Sequence, residues 1–175
     1  MGQIKSKIQH VNELLIFFNL DSKNQLDFQC LQLIIKGVHE CQNLQVLYLN
    51  LRNVCLTDKG EYLGMMIVKN INIQKLTLIL NNNCIHNQDV YNLVLGVSKC
   101  PQISSLGLHF KFNNNGVACL QDLQMGIAQC ENLSILNLIF GFQKINKFMF
   151  GEMGHIIDLQ AKKLERLVDL RIINL

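Results

Sequence analysis

Four nine-residue stretches decide the fold: Asn43–Leu51 reads NLQVLYLNL, Asn72–Leu80 NIQKLTLIL, Gln102–Phe110 QISSLGLHF and Asn132–Phe140 NLSILNLIF. Each is apolar at its second, fifth, seventh and ninth residue. These are Leu44, Leu47, Leu49 and Leu51, then Ile73, Leu76, Leu78 and Leu80, then Ile103, Leu106, Leu108 and Phe110, then Leu133, Leu136, Leu138 and Phe140. The first apolar residue of each string follows its predecessor at a nearly constant interval, from Leu44 to Ile73, Ile103 and Leu133. Weaker copies flank them: Val11, Leu14, Ile16 and Phe18 upstream, and Leu167, Leu170, Ile172 and Asn174 downstream. One such string is expected by chance in a chain that is 49% hydrophobic; six in register are not. Alternation with period two is a strand signal, and recurrence at an interval of this size signals a solenoid.

The segments between the strings carry a second period. Cys41, Asn70, Cys100 and Cys130 each lie three residues before the first apolar residue of a string. Ten residues before them stand Leu31, Gly60, Val90 and Leu120; seven before, Ile34, Leu63, Leu93 and Leu123; three before, Val38, Ile67, Val97 and Ile127. Spacings of three, four and seven place these on one helical face. Gly37, Met66, Gly96 and Gly126 lie four before, and a small residue there predicts close approach to a neighbouring helix. Each unit is thus a strand, a turn, a helix and a tight return. Thr57 or Asp58 is the expected N-cap of the second helix. Asn43, Asn72, Gln102 and Asn132, just before the strands, are placed to bond turn backbone.

The repeated strings resemble the leucine-rich repeat family, and among its classes the ribonuclease-inhibitor-like one with alternating strands and helices. The resemblance covers about residues 8 to 175. It implies an α/β, right-handed solenoid in the form of a short horseshoe, parallel strands on the concave face and helices on the convex face. Residues 1–175 form one domain of about six strand units, with 1–10 as an N-terminal segment. Where that family often has Asn or Cys after the strand, this chain has Arg52, Asn81, Lys111 and Gly141, which argues against a regular buried asparagine ladder. The fourth apolar residue predicts a slightly longer strand. About four extra residues between 140 and 167 predict a loop near Lys144 to Gly151.

Bulk composition narrows the function classes. The 175 residues carry a net charge of +3, and only 17% are charged. That charge is too small, and too little interleaved with aromatics, to argue for nucleic acid. The mean hydropathy of +0.19 suits strands buried between neighbours. No apolar run approaches a membrane span, and the polar, basic first ten residues carry no secretory signal. Seven cysteines include three at one repeat position, Cys41, Cys100 and Cys130, and two at another, Cys55 and Cys84. Equivalent positions stack, so cross-bridging is open to them, but small buried side chains in a reducing, cytoplasmic setting are the simpler reading.

No catalytic set emerges, and no cofactor is expected. There is no phosphate-binding glycine loop, HExxH or CxxC pair. His10, His39, His86, His109 and His155 show no ligand spacing, so no metal is expected. Asp89 and Asp122 read as solvated helix residues. The Asn132-Leu133-Ser134 sequon coincides with a strand start and reads as chance. Met1-Gly2-Gln3-Ile4-Lys5-Ser6-Lys7 fits an N-myristoylation pattern at Gly2, with two lysines beside it. Membrane contact is expected only through that lipid, and one chain alone binds membranes marginally.

Residues between the inward apolar positions line the open sheet. One row is Leu15, Tyr48, Thr77, Gly107, Asn137 and Arg171; the next is Phe17, Asn50, Ile79, His109, Ile139 and Ile173. Arg52 and Lys111 flank them. Apolar residues on a face open to solvent, with a polar and basic rim, point to a protein contact. The contact candidates are Phe17, Tyr48, Asn50, Arg52, Ile79, His109, Lys111, Ile139, Arg171 and Ile173. The chain stops at Leu175 directly after the sixth strand, so another subunit or further chain is expected to cover that end. The leading reading is a non-enzymatic interaction or scaffold module within a larger assembly. The alternatives are a myristoylated signalling adaptor, or regulatory fragment of a kinase-like protein, and an enzyme inhibitor by analogy with ribonuclease inhibitors.

Overall fold

A computed structural model of the chain describes residues 11–18, 28–111, 113, 119–140 and 169–174. Among these, six strands form one parallel sheet in sequence order: β1 (Glu13–Phe17), β2 (Val46–Asn50), β3 (Lys75–Ile79), β4 (Ser105–His109), β5 (Ile135–Phe140) and β6 (Asp169–Asn174). Four helices connect the first five: α1 (Phe28–Glu40), α2 (Gly60–Val68), α3 (Asn87–Ser98) and α4 (Cys119–Ile127). The result is a right-handed leucine-rich repeat solenoid with the strands on its concave face and the helices on its convex face. Register follows the repeat: Leu47, Leu76, Leu106, Leu136 and Leu170 stand side by side across β2 to β6. The predicted loop at 144–151 and the segment 1–10 lie outside the described residues.

The interior is one continuous layer. The inward strand residues Leu47, Leu49, Leu76, Leu78, Leu106 and Leu108 are at most 1% exposed. From the helices, Leu63, Ile67, Leu93, Val97, Leu123 and Ile127 complete it, while Ile34 is half-buried. Each such side chain contributes about 1.5–3 kcal/mol gross, most of it offset by chain entropy. The returns repeat as well. Gln74 N donates to Gln45 O, Ser104 N to Gln74 O and Ser134 N to Ser104 O. The amides before the strands bond the preceding coil's return: Asn72 Nδ2 to Gln42 O at 3.0 Å and Asn132 Nδ2 to Pro101 O at 2.7 Å.

The mixture of Cys and Asn at one repeat position has a physical reason. The last carbonyls of each helix keep acceptor capacity, and both side chains are small and reach four residues back. Asn70 Nδ2 donates to Met66 O at 3.0 Å; Cys41 and Cys130 Sγ lie 3.4 and 3.6 Å from the carbonyls of Gly37 and Gly126, while Cys100 Sγ lies 3.9 Å from Gly96 O and closer, at 3.3 Å, to Ile67 O of the neighbouring coil. Burial pushes the Cys100 and Cys130 thiols up to about 11, so they keep the proton they donate.

Local expectations are refined or corrected at four points. Asparagine rungs do exist two residues after Asn81 and Lys111, at Asn83 and Asn113, but the equivalent residue after Arg52 is Val54, so the ladder is not regular. Asn83 is fully buried, its Nδ2 donating to Leu51 O and its Oδ1 accepting from Val54 N, both at 2.6 Å. Asn113 repeats this with Leu80 O at 2.8 Å and with the N–H groups of Asn83 and Ile85 at 2.8 and 3.1 Å. The ladder is displaced because Leu51 and Leu80 still bond the next strand, through Ile79 O and His109 O, so the turn starts later. Asp89 is not solvated but 4% exposed, and its oxygens accept from Gly60 N at 3.0 Å and His86 N at 3.1 Å. It therefore serves the N-terminus of α2, whose N-cap position holds Lys59 with no side-chain cap, in place of Thr57 or Asp58. Close approach of helices holds for Gly96 and Gly126, where a Cβ would overlap Gly64 and Val94, but Gly37 faces open space.

Candidate functional site

The concave face is built by period-two alternation and in-register stacking. Phe17, Asn50, Ile79, His109, Ile139 and Ile173 are successive partners across the sheet, and Leu15, Tyr48, Thr77, Gly107, Asn137 and Arg171 form the adjoining row. At the β1 end the surface is aromatic and open: Phe17 is 60% exposed, Leu15 52%, and the Phe17 and Tyr48 rings lie 5.1 Å apart between centroids. Asn50, Ile79, His109 and Ile139 are half-buried. Arg52 is exposed just past β2, its N–H donating to Asn50 Oδ1 at 3.2 Å. Lys111 is half-buried past β4, its N–H held by Asn81 Oδ1 at 2.8 Å. Arg171 and Ile173 take their places in β6 by backbone register. Gly2 lies outside the described residues.

The middle of this face is polar and incompletely paired. His109 Nε2 and Asn137 Oδ1 are buried without a hydrogen-bond partner. The two residues sit on neighbouring strands, two positions out of register, which is the diagonal relation across a sheet face. Gly107 stands beside Asn137 and Thr77, so the row dips where it has no side chain. Burial, and then the nearby Lys111 charge, lowers the His109 pKa, which favours the neutral ring. Among the described residues, no three His, Cys, Asp or Glu side chains converge to hold a metal.

No protein-family model matches the chain, and no curated protein does. Solved structures do. The C-terminal domain of tropomodulin from Caenorhabditis elegans superposes with a TM-score of 0.59 at 16% identity, covering 94% of this chain and 91% of that one. Leiomodin-1 actin-binding site 2 superposes with a TM-score of 0.56 at 13% identity, covering 93% of this chain and 90% of that one. The likeness is one of fold.

These matches correct the ribonuclease-inhibitor-like assignment. The leucine-rich repeat architecture stands, and the solved structures it resembles are the tropomodulin and leiomodin domains. The four strings specify a strand-and-helix coil, which is a local property that different repeat classes share.

Two surfaces escaped the sequence reading. The concave sheet has a third row, Glu13, Val46, Lys75, Ser105, Ile135 and Asp169, in which Ile135 is 42% exposed. Carrying the alternation one step further upstream reveals it. On the helical side, Met65, Leu95 and Met125 are exposed at one repeat position, five residues before Asn70, Cys100 and Cys130. The repeat spacing of the helices carries that signal.

Proposed function

We propose that this chain is a non-enzymatic protein-binding module that receives its partner on the concave sheet, with actin as the partner to test first. The observation that carries this is the continuous concave row that begins at the open Phe17–Tyr48 pair and runs through Ile79 and Ile139. Aromatic and Arg side chains are enriched among residues that dominate binding energy, and Tyr48 and Arg52 flank this row. The unpaired His109 and Asn137 atoms add polar capacity that a bound chain can satisfy after small side-chain rotations. Actin enters from the likeness to leiomodin-1 actin-binding site 2, which supports a fold and leaves the contact residues to experiment.

The test is a binding titration against monomeric actin and co-sedimentation with actin filaments. Phe17→Ala and Arg52→Glu alter exposed side chains, so circular dichroism is expected to stay unchanged. Each is expected to weaken binding about tenfold, equivalent to about 1.4 kcal/mol. Binding that survives both substitutions refutes the concave face as the contact; no binding to either form of actin refutes the partner.

A further inference from the structure

We infer that Cys55 and Cys84 form an oxidisable dithiol, a modification site that links two neighbouring coils through a disulfide when a small-molecule disulfide such as oxidised glutathione is present. The inference does not depend on the protein-binding reading.

The two cysteines are equivalent in the repeat, separated by the same interval as the paired residues Asn50 and Ile79 of β2 and β3. The register persists beyond the strands as far as Asn53, and the next bond, Leu56 N to Asn83 O at 3.0 Å, is one residue out of step. Leu51 N donates to Ile79 O at 2.9 Å and Asn53 N to Asn81 O at 3.1 Å. Two positions before the cysteines, Asn82 Nδ2 donates to Asn53 Oδ1 at 2.7 Å, so equivalent side chains of these turns meet directly. Thr57 Oγ1 bonds Cys84 O at 3.3 Å on the other side. Stacked backbones lie about 4.8 Å apart, within the Cα separation of about 4.4–6.8 Å that a disulfide spans.

Backbone conformation aligns the side chains. Cys55 and Cys84 have φ of 58° and 54°, and Asn53 and Asn82 have 62° and 57°. Asn enters this left-handed region readily; Cys does so rarely. Two congruent left-handed turns send their side chains the same way, as the Asn53–Asn82 contact demonstrates. Rotation about each Cα–Cβ bond then brings the sulfurs together.

Exposure selects the same pair. Cys55 and Cys84 are exposed, whereas Cys41, Cys100, Cys119 and Cys130 are buried. Cys30 is also exposed, but it belongs to α1, in an earlier coil. In the exchange, one of the two thiols loses its proton to solvent, and its thiolate attacks oxidised glutathione. A mixed disulfide forms and one glutathione thiolate leaves to take up a proton. The second thiolate attacks the protein sulfur of the mixed disulfide and expels a second glutathione. The two cysteines are oxidised and one glutathione disulfide is reduced to two thiols.

The test uses the full chain, equilibrated with oxidised glutathione at mildly alkaline pH, alkylated, and read by intact mass and peptide mapping. The expected product has lost two hydrogens and yields a Cys55–Cys84 linked peptide. Cys55→Asn and Cys84→Asn, which suit the left-handed backbone, are each expected to stop at a mixed disulfide on the remaining cysteine of the pair; Cys30→Ser is expected to bridge as the parent does. The oxidised parent is expected to melt on the order of 5–10 °C higher, reversibly with added thiol. Glutathione retained on both cysteines, a bridge that involves Cys30 or a buried cysteine, or an unchanged or lower Tm would overturn the inference.

Discussion

Removing the Asn83 amide isolates what the displaced ladder contributes. In Asn83→Ala, Leu51 O loses its donor and Val54 N its acceptor, and both residues are within 1% of fully buried. Each orphaned buried group costs about 1–3 kcal/mol, so the pair costs about 2–6 kcal/mol. That is a large share of the roughly 5–15 kcal/mol of a typical fold. At roughly 2–4 °C per kcal/mol for a chain of this size, a central value of about 4 kcal/mol lowers Tm by about 8–16 °C. Asn83→Asp keeps the acceptor for Val54 but turns an oxygen toward Leu51 O, so at neutral pH it is expected to be no better than Ala. Asn72→Ala is the control: its bond to Gln42 O is exposed, and its loss is expected to cost under about 1 kcal/mol. The assay is urea unfolding followed by circular dichroism, with a thermal melt beside it. An Asn83→Ala chain that melts within about 2 °C of the parent, with an unchanged urea slope, refutes the reasoning. Water, or a shift of the turn, would then be meeting those two groups.

Two further predictions concern packing and pH. Gly96→Ala and Gly37→Ala change the same repeat position with opposite signs. A Cβ at Gly96 overlaps the Gly64 backbone and forces α2 and α3 apart, costing about 1–3 kcal/mol, whereas one at Gly37 meets nothing and gains about 0.5–1 kcal/mol of helix propensity; paired denaturation curves read both. Burial lowers the pKa of His39, with Lys69 adding to it, and of His109, with Lys111 adding to it. With folded-state values below the unfolded one of about 6.5, the unfolded chain binds protons first on acidification. The stability these rings contribute is present above that pH and is lost as pH falls through the folded values. Tm is expected to decline from pH 7 toward pH 5, and His109→Gln and His39→Gln are each expected to flatten the decline. A Tm that rises on acidification refutes the sign.

How much is legible in the sequence varies with how local the determinant is. The concave rows are readable because alternation fixes which side a strand residue takes, and equal repeat spacing fixes its neighbour. Whether a residue in those rows is open is not: Phe17 sits on the edge strand and is 60% exposed, while Ile79 and Ile139, in the same row, are half-buried between flanking strands. The burial of Cys41, Cys100 and Cys130 follows from their repeat position, but their bond to the helix end does not. Asp89 misleads because its helix position looks polar: one partner, His86 N, caps its own helix, but the other, Gly60 N, belongs to the neighbouring coil. The asparagine ladder is misplaced by apolar spacing, which does not show where a strand stops bonding.

The amino-acid sequence on its own determined the coil. Apolar residues two apart, then three and four apart, recurring at one steady interval, leave a strand-and-helix solenoid as the arrangement that buries them all. Only the tertiary structure decided which side chains meet between coils. Asn83 with Leu51, Asp89 with Gly60 and Asn82 with Asn53 join residues a full repeat apart in the chain. Such pairs form after stacking has set the register, and hydrogen bonds need both partners within a few tenths of an ångström. Hydrophobic burial has no direction and tolerates error, so its pattern can be read along the chain. Directional contacts are fixed by the space between coils.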